Sequence, residues 1–365
     1  PVLFMAIELS DKKWKLGFSD GKKNRIRNVD AGNTGDLLEE IELAVEKLNM
    51  PDDVKVYSCY EAGRDGFWLH RWLVDKDITN YVIDSSSIEQ SRKKRKAKTD
   101  RIDVVKMVKQ LSRYCLGDKE AFAVVMVPDK DAEDDMRLHR ERQRLVNERG
   151  QHSNRISSLL VKENIRDIPL GKGFEEEINK LNCWDGEQLG KDLQAELIRE
   201  NERYQLIEAQ IKTLEKLQKQ RTAEAESGPL LMIKMMMTLK GVGWQSAWIL
   251  VMEMFGWRTF KNRRQLAGFT GLTGTPFDSG DSTRDQGISK QGNRRVRRLL
   301  VELAWMWIRY QPQSGLAQWF ERRFAHGGKR MRRIGIVAVA RKLAIALWRF
   351  VTDGVVPAGA ELKSA

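Results

Sequence analysis

The 365-residue chain has only three cysteines, four histidines and eight prolines. Cys59, Cys115 and Cys183 stand far apart and form no Cys-x-x-Cys pair, which excludes a disulfide framework and a Cys/His zinc site. No apolar run reaches the roughly 20 residues that cross a bilayer, so no membrane partner is expected. The N-terminus has no basic segment followed by an apolar one, and Pro1 reads as a trimmed or processed start. Sparse cysteine in a chain without these signals fits a reducing compartment.

Charge, by contrast, is abundant and unevenly placed. Residues 231–365 carry 23 basic against 8 acidic side chains, a net of +15, whereas the first 230 carry 41 against 43, a net of −2. A surplus gathered in one third of a chain is the footprint of a polyanionic partner, and nucleic acid is the expected one.

The length gives room for two or three domains. Residues 1–125 alternate short strands ("VLFMAIELS", "KWKLGFSDG", "NRIRNVDA", "VKVYSCYE", "NYVIDSSS") with helices ("TGDLLEEIELAVEKLN", "DGFWLHRWLVDK", "TDRIDVVKMVKQLSRYCL"). This order predicts a mixed α/β sheet, with Thr34 or Asp36 capping the first helix. Residues 126–228 are highly charged, with apolar residues at spacings of three and four, and predict two long antiparallel helices, a coiled-coil arm or a plain bundle. Residues 229–365 predict a mostly helical domain. There "LKGVGWQSAWILVMEMF" reads as a helix-hairpin-helix-like element, a Gly/Ser/Thr-rich loop follows, and basic helices surround "RRVRRLL" and "GKRMRRIGIVAVARKLAIALW". Trp244, Trp248, Trp257, Trp305 and Trp307 interleave with basic residues. Base stacking is one reading of them and core packing the other, the latter favoured for Trp244 and Trp248 by their spacing.

One constellation carries chemistry. In "KRKAKTDRIDVVKMVK", Asp100 and Asp103 stand three apart on a predicted helix and share a face. Glu8 and Glu61 end two apolar strands, where α/β sheets place ligands. Four carboxylates from a first strand, a later strand and a following helix make a ribonuclease-H-like arrangement suited to Mg2+, whose ligands are oxygens. Singly, each acid reads as well as a solvated side chain, or for Asp100 as a helix cap; the set and its element order favour the metal. Arg92, Lys93, Lys94, Arg95, Lys96 and Lys98 precede the pair, as contacts to a nucleic-acid backbone or as a solvated charge run.

The stretches "AIELS", "YEAGRDGFWLHRWL" and "KTDRID" resemble the N-terminal domain of the DEDD transposases of the insertion-sequence one-ten family. That family includes Piv-type DNA invertases and bridge-RNA-guided recombinases. The resemblance implies a RuvC-like catalytic domain whose four acids match Glu61, Asp100 and Asp103 directly, with Glu8 where the family has Asp and Asp11 as an alternative ligand. It continues through "RRQLAGFTGLT", "DSGDSTR" and "GISKQGNRRVRRLL", which are similar to the family's C-terminal transposase domain. It places the family's nucleophilic serine on Ser279, with Ser282 as the neighbouring candidate.

Residue chemistry bears on the serine as well. A hydroxyl nucleophile needs a base, a metal or a strong field. The nearest histidine in sequence is His326, so metal and carboxylate help is favoured over a Ser-His-Asp triad. Arg284, Lys290, Asn293, Arg294 and Arg295 follow at positions suited to phosphates, although a Ser-Gly-Asp-Ser stretch also makes an ordinary turn. The resemblance implies a recombinase of a mobile element, working through a phosphoserine intermediate on target and donor DNA in the bacterial cytoplasm. It also implies a guide (bridge) RNA and a homo-oligomer. A Mg2+-dependent nuclease using water, and a nucleic-acid-binding protein without catalysis, are the alternatives.

Overall fold

The computed structural model describes residues 1–88, 100–279 and 282–363. The chain forms two compact units, 1–127 and 128–365.

The first unit contains β1 (Val2–Glu8), β2 (Lys13–Ser19), β3 (Asn24–Asp30), α1 (Thr34–Lys47), β4 (Lys55–Glu61), α2 (Trp68–Asp75), β5 (Thr79–Ile83) and α3 (Asp100–Cys115). The sheet order is β3-β2-β1-β4-β5. β1, β2 and β3 pair antiparallel, whereas β4 lies parallel to β1 and β5 parallel to β4. The nearly unbroken apolar run of β1 is what a central strand covered on both faces requires. Leu3, Met5 and Ile7 join Leu37, Ile41 and Ala44 of α1 and Leu69 and Leu73 of α2. Phe4 and Ala6 join Val104, Met107, Val108 and Leu111 of α3 on the opposite face. The first helix is capped one residue earlier than expected: the Asn33 side chain accepts the amide of Asp36, and Thr34 is already helical.

Small residues let α3 approach the sheet. Ala6 of β1 pairs with Gly17 of β2, and a Cβ on Gly17 would stand 2.2 Å from Cγ1 of Val104. No other residue fits there without displacing the helix.

The second unit contains α4 (Lys130–Asp135), α5 (Arg137–Lys162), α6 (Phe174–Ile178), α7 (Lys191–Glu224), α8 (Gly228–Met237), α9 (Trp244–Leu250), α10 (Arg263–Thr270), β6 (Gly274–Ser279), β7 (Ser282–Ile288), α11 (Arg294–Tyr310), α12 (Gly315–Phe320) and α13 (Lys329–Asp353). α9 and α12 continue into π-helical turns at Val251–Phe255 and Glu321–Ala325. α5 and α7 run antiparallel, as the pairs Arg142–Glu215, Arg149–Glu208 and Arg155–Glu200 require. Beside this helix pair Ile165, Phe174, Ile178 and Leu189 cover Ile156, Leu160 and Leu197 in a small separate core.

The main core of the unit gathers α8, α9, α11 and α13 around Trp248, Trp307, Leu300, Val339 and Leu343. The predicted Gly/Ser/Thr-rich loop is instead the β6–β7 hairpin. Its strands lack an apolar alternation because the ladder and the root, rather than a buried face, hold them. Among the described residues no helix is long and apolar enough to cross a membrane.

Replacing Gly17 with Ala should overpack the Ala6–Val104 contact and destabilise the first unit by about 1–3 kcal/mol. The second change Val104→Ala should recover part of that loss. Urea denaturation of the single and double variants measures both, and additive losses would show that the two sites do not touch.

Candidate active site and nucleic-acid interface

Parity along the strands decides where the acids go. Side chains alternate faces along a strand, and Phe4 and Ala6 face α3, so Glu8 belongs to that face as well. Cys59 also lies under α3, which puts Glu61 on the same side. The parallel register matches Ile7 with Tyr60, so Glu8 and Glu61 end neighbouring strands side by side.

Asp103 precedes Val104 at the end of the first turn of α3, where Ala6 and Gly17 admit the helix, and Asp100 opens that helix three residues before it. Glu8, Glu61 and Asp103 are half-buried; of Asp100 only the backbone position is described. Oδ1 of Asp103 lies 3.7 Å from Nζ of Lys106. Asp11, in the β1–β2 turn, is ion-paired with Arg64.

The donors fit a hard divalent cation in kind, being all carboxylates, and Glu8 and Glu61 share one face and one end of the sheet. Among the described residues no three Asp, Glu, His or Cys side chains converge closely enough to hold a metal as they stand.

Ser279 is the last residue of β6 and pairs with Ser282, the first of β7. It therefore stands at the tip of the hairpin, with residues 280 and 281 outside the described set. The root of the hairpin is fastened to the end of α10. The amides of Ser289, Lys290 and Asn293 donate to the carbonyls of Thr273, Gly271 and Phe269. Gly292 has φ +80°, and a Cβ there would lie 2.2 Å from the Phe269 carbonyl oxygen, so this close approach needs glycine.

Asn293 does two jobs at the root. Its Oδ1 accepts the amides of Arg295 and Val296, capping α11, and its Nδ2 donates to Oε2 of Glu253 at 2.8 Å. Glu253, in the π-helical turn after α9, is 1% exposed. His139 Nε2 lies 2.8 Å from its Oε1, and the Arg140 guanidinium binds both oxygens at 2.8 and 2.9 Å. Burial alone would raise the pKa of this carboxyl, but hydrogen bonds from His139 and Arg140 outweigh it and hold the group well below the ordinary carboxylate range.

Sequence comparison places this geometry in a family. Residues 233–319, which include the hairpin and all of α11, match the model of the IS116/IS110/IS902 transposase family. The protein y4rJ of Sinorhizobium fredii, named as a transposase, is 37% identical over 376 residues, covering 99% of this chain and 95% of that protein. The chain belongs to the IS116/IS110/IS902 transposase family. The transposase of insertion element IS1328 from Yersinia enterocolitica is 29% identical over 222 residues, covering 60% of this chain and 63% of its own. That of IS1533 from Leptospira borgpetersenii is 22% identical over 283 residues, covering 75% and 79%.

The cations expected to meet nucleic acid in this transposase divide into two groups. Arg92, Lys93, Lys94, Arg95, Lys96 and Lys98 lie outside the described residues. Arg284 stands opposite Phe277 in the hairpin. Lys290 is exposed with φ +58°, and Arg294 and Arg295 are exposed in the first turn of α11.

The tryptophans separate as well. Trp248 and Trp307 are buried, Trp307 donating to Ser314 Oγ at 2.9 Å, and Trp244 packs on Trp248 at 6.4 Å. Trp305 remains 42% exposed. The Gly-x-Gly turn is partly occupied from the C-terminus: the Lys240 amide donates to the Glu361 carbonyl, and Lys363 Nζ donates to the carbonyls of Met237 and Val242.

Sequence reading passed over a cleft of about 1140 Å3 between the hairpin root, the start of α10 and the outer face of α13. Arg263 and Arg264 line it from one side, and Arg330, Arg333 and Arg341 from the other. The three-to-four spacing of Arg330, Arg333, Val337 and Arg341 is the signal that could have marked this face.

Because the Glu253 pKa is lowered on folding, its contribution to stability is present above about pH 4.5 and is lost progressively as pH falls below that value. Glu253→Gln should cost about 3 kcal/mol at pH 7, since Arg140 loses its buried partner. The acid limb of the stability curve should also flatten in the variant. Urea denaturation across pH 3–8 measures both effects, and parallel wild-type and variant curves would contradict the assignment.

Proposed function

We propose that the protein is a site-specific recombinase of a mobile insertion element, in which Ser279 attacks a DNA phosphodiester and forms a phosphoserine link. The observation that carries this reading is the position of Ser279 at the tip of a rooted hairpin inside the segment matched by the family model.

In the proposed step, Ser279 Oγ bonds to phosphorus and the bond to the leaving DNA oxygen breaks, freeing a hydroxyl end. The serine proton passes to a base and a proton returns to the leaving oxygen. Reversal by a hydroxyl end of another strand rejoins the DNA without loss of the ester. The hairpin root holds the serine backbone in place, while Arg284, Lys290, Arg294 and Arg295 bind phosphates around it. Arg294 and Arg295 sit at a helix N-terminus, where cations are disfavoured; a DNA phosphate beside them relieves that cost. Asn293 positions this turn.

The order β3-β2-β1-β4-β5, with acids at the ends of β1 and β4 and on α3, supports a RuvC-like, ribonuclease-H-like reading of the first unit. Glu8, Glu61, Asp100 and Asp103 would hold Mg2+, which when bound supplies charge stabilisation at a phosphate. Glu8 adds one methylene to the family's Asp and keeps its charge.

As the family resemblance implies, a guide (bridge) RNA delegates sequence choice to base pairing, so that the protein reads backbone and shape. The transposase works as a homo-oligomer on target and donor DNA, in the cytoplasm. The α5–α7 pair serves as a coiled-coil arm between subunits; the 34 residues of α7 span about 50 Å.

The test is a covalent trap. Protein and guide RNA are mixed with labelled target and donor DNA and Mg2+, then quenched in detergent. Wild type should yield a protein–DNA adduct, Ser279→Ala none, and Glu61→Gln or Asp103→Asn a yield lowered by about a hundredfold. DNA cut equally by wild type and Ser279→Ala without an adduct would replace the serine by water.

A further inference from the structure

We propose that the cleft between the hairpin root and α13 binds an unpaired nucleic-acid strand, with phosphates on its rim and a base on the Trp319 floor. This rests on the recombinase reading and adds a strand-holding site beside the serine.

The lining carries the argument. Nine of its twenty residues are Lys or Arg and none is Asp or Glu. Among the described residues no carboxylate pairs with any of the nine. Uncompensated positive charge at this density is complementary to a polyanion. The floor is different in kind: Leu272, Ile288, Trp319, Ile334, Val337 and Ile345 make it apolar. A duplex presents phosphates outward and keeps its bases stacked inside, so it would leave that floor uncovered. An unpaired strand offers phosphates to the rim and a π-face to an aromatic platform at once.

Trp319 is the platform. It is half-buried, and Phe324 buttresses it edge-on at 5.2 Å. Lys342 Nζ stands over its ring at 4.7 Å. That lysine yields the ring to a base and takes a phosphate instead.

Placement links the cleft to the chemistry. Gly274, the first residue of β6, lines it, and Ser279 is five residues further along the same strand. At about 3.4 Å per residue, the strand leads from the cleft to the serine over roughly 17 Å. A strand end released by cleavage, or an unpaired segment beside the cut, is thereby kept near the nucleophile.

The test compares full-length wild type, Arg330→Gln/Arg333→Gln/Lys342→Gln, Trp319→Leu and Trp319→Phe. The Leu variant keeps an apolar side chain and removes the π-face; the Phe variant keeps apolar character and the π-face. Fluorescence anisotropy with a mixed-sequence single strand should show the triple variant and Trp319→Leu weakened about tenfold, with Trp319→Phe near wild type. The salt slope of the triple variant should fall by about 2 if three phosphate contacts are lost. A 5-iodouracil strand should photocrosslink to Trp319.

Several results would overturn the proposal: a hairpin duplex binding wild type as tightly as the single strand, Trp319→Leu unchanged, or polyglutamate competing as well as the oligonucleotide. The last would assign the cleft to an acidic protein. The covalent trap on the same proteins separates the two readings. Cleft variants that bind and form adduct as wild type does remove this site alone. A wild type without adduct removes the serine step, while the binding series still decides the cleft.

Discussion

The second unit depends on one buried carboxylate. An ionised group moved out of water costs several kcal/mol unless its oxygens are filled, and Glu253 is filled by His139, Arg140 and Asn293 together. These donors come from the start of α5, the same helix one residue on, and the cap of α11. The π-helical turn that carries Glu253 changes the helical register, and such turns recur at functional positions. Satisfying this charge therefore sets where α5 begins and where α11 begins. It also sets the height of the hairpin root, through the bond of the Asn293 amide to the Phe269 carbonyl.

The first unit is governed by a steric rather than an electrostatic constraint. Ala6 and Gly17 open a shallow site into which Val104 fits, and that contact fixes how closely the start of α3 approaches β1 and β2. Strand parity brings Glu8 and Glu61 to neighbouring strand ends on the face that α3 covers. Close packing makes this sensitive to single methyl groups, so the position of the candidate metal ligands is tied to residues that carry no charge.

Charge is then distributed by what the core leaves exposed. α11 and α13 bury Leu300, Leu303, Leu343 and Leu347 and leave Arg294, Arg295, Arg298, Arg330, Arg332 and Arg333 exposed. Part of the basic surplus of the last third of the chain thus lies on the exposed faces of these two helices, and α13 shares a cationic cleft with the hairpin root. Such cationic surface attracts phosphate without reading sequence.

The sequence by itself determined the elements of the first unit, the helical character of the rest and the family. Period-two and period-three-to-four patterns are local, and so are Asp100–Asp103 and the stretch around Ser279. What only the tertiary structure decided was non-local. The β6–β7 hairpin read as a loop because its stability comes from a ladder and a root on α10, not from an apolar face. Asn293 read as a phosphate contact, yet its side chain is committed to capping α11 and to Glu253, 40 residues away. Glu253 drew no notice, since an isolated Glu in an apolar run carries no sign of the partners that packing will bring to it. The cationic cleft was equally hidden, because its walls lie more than 60 residues apart in the chain and meet only when α10 packs against α13.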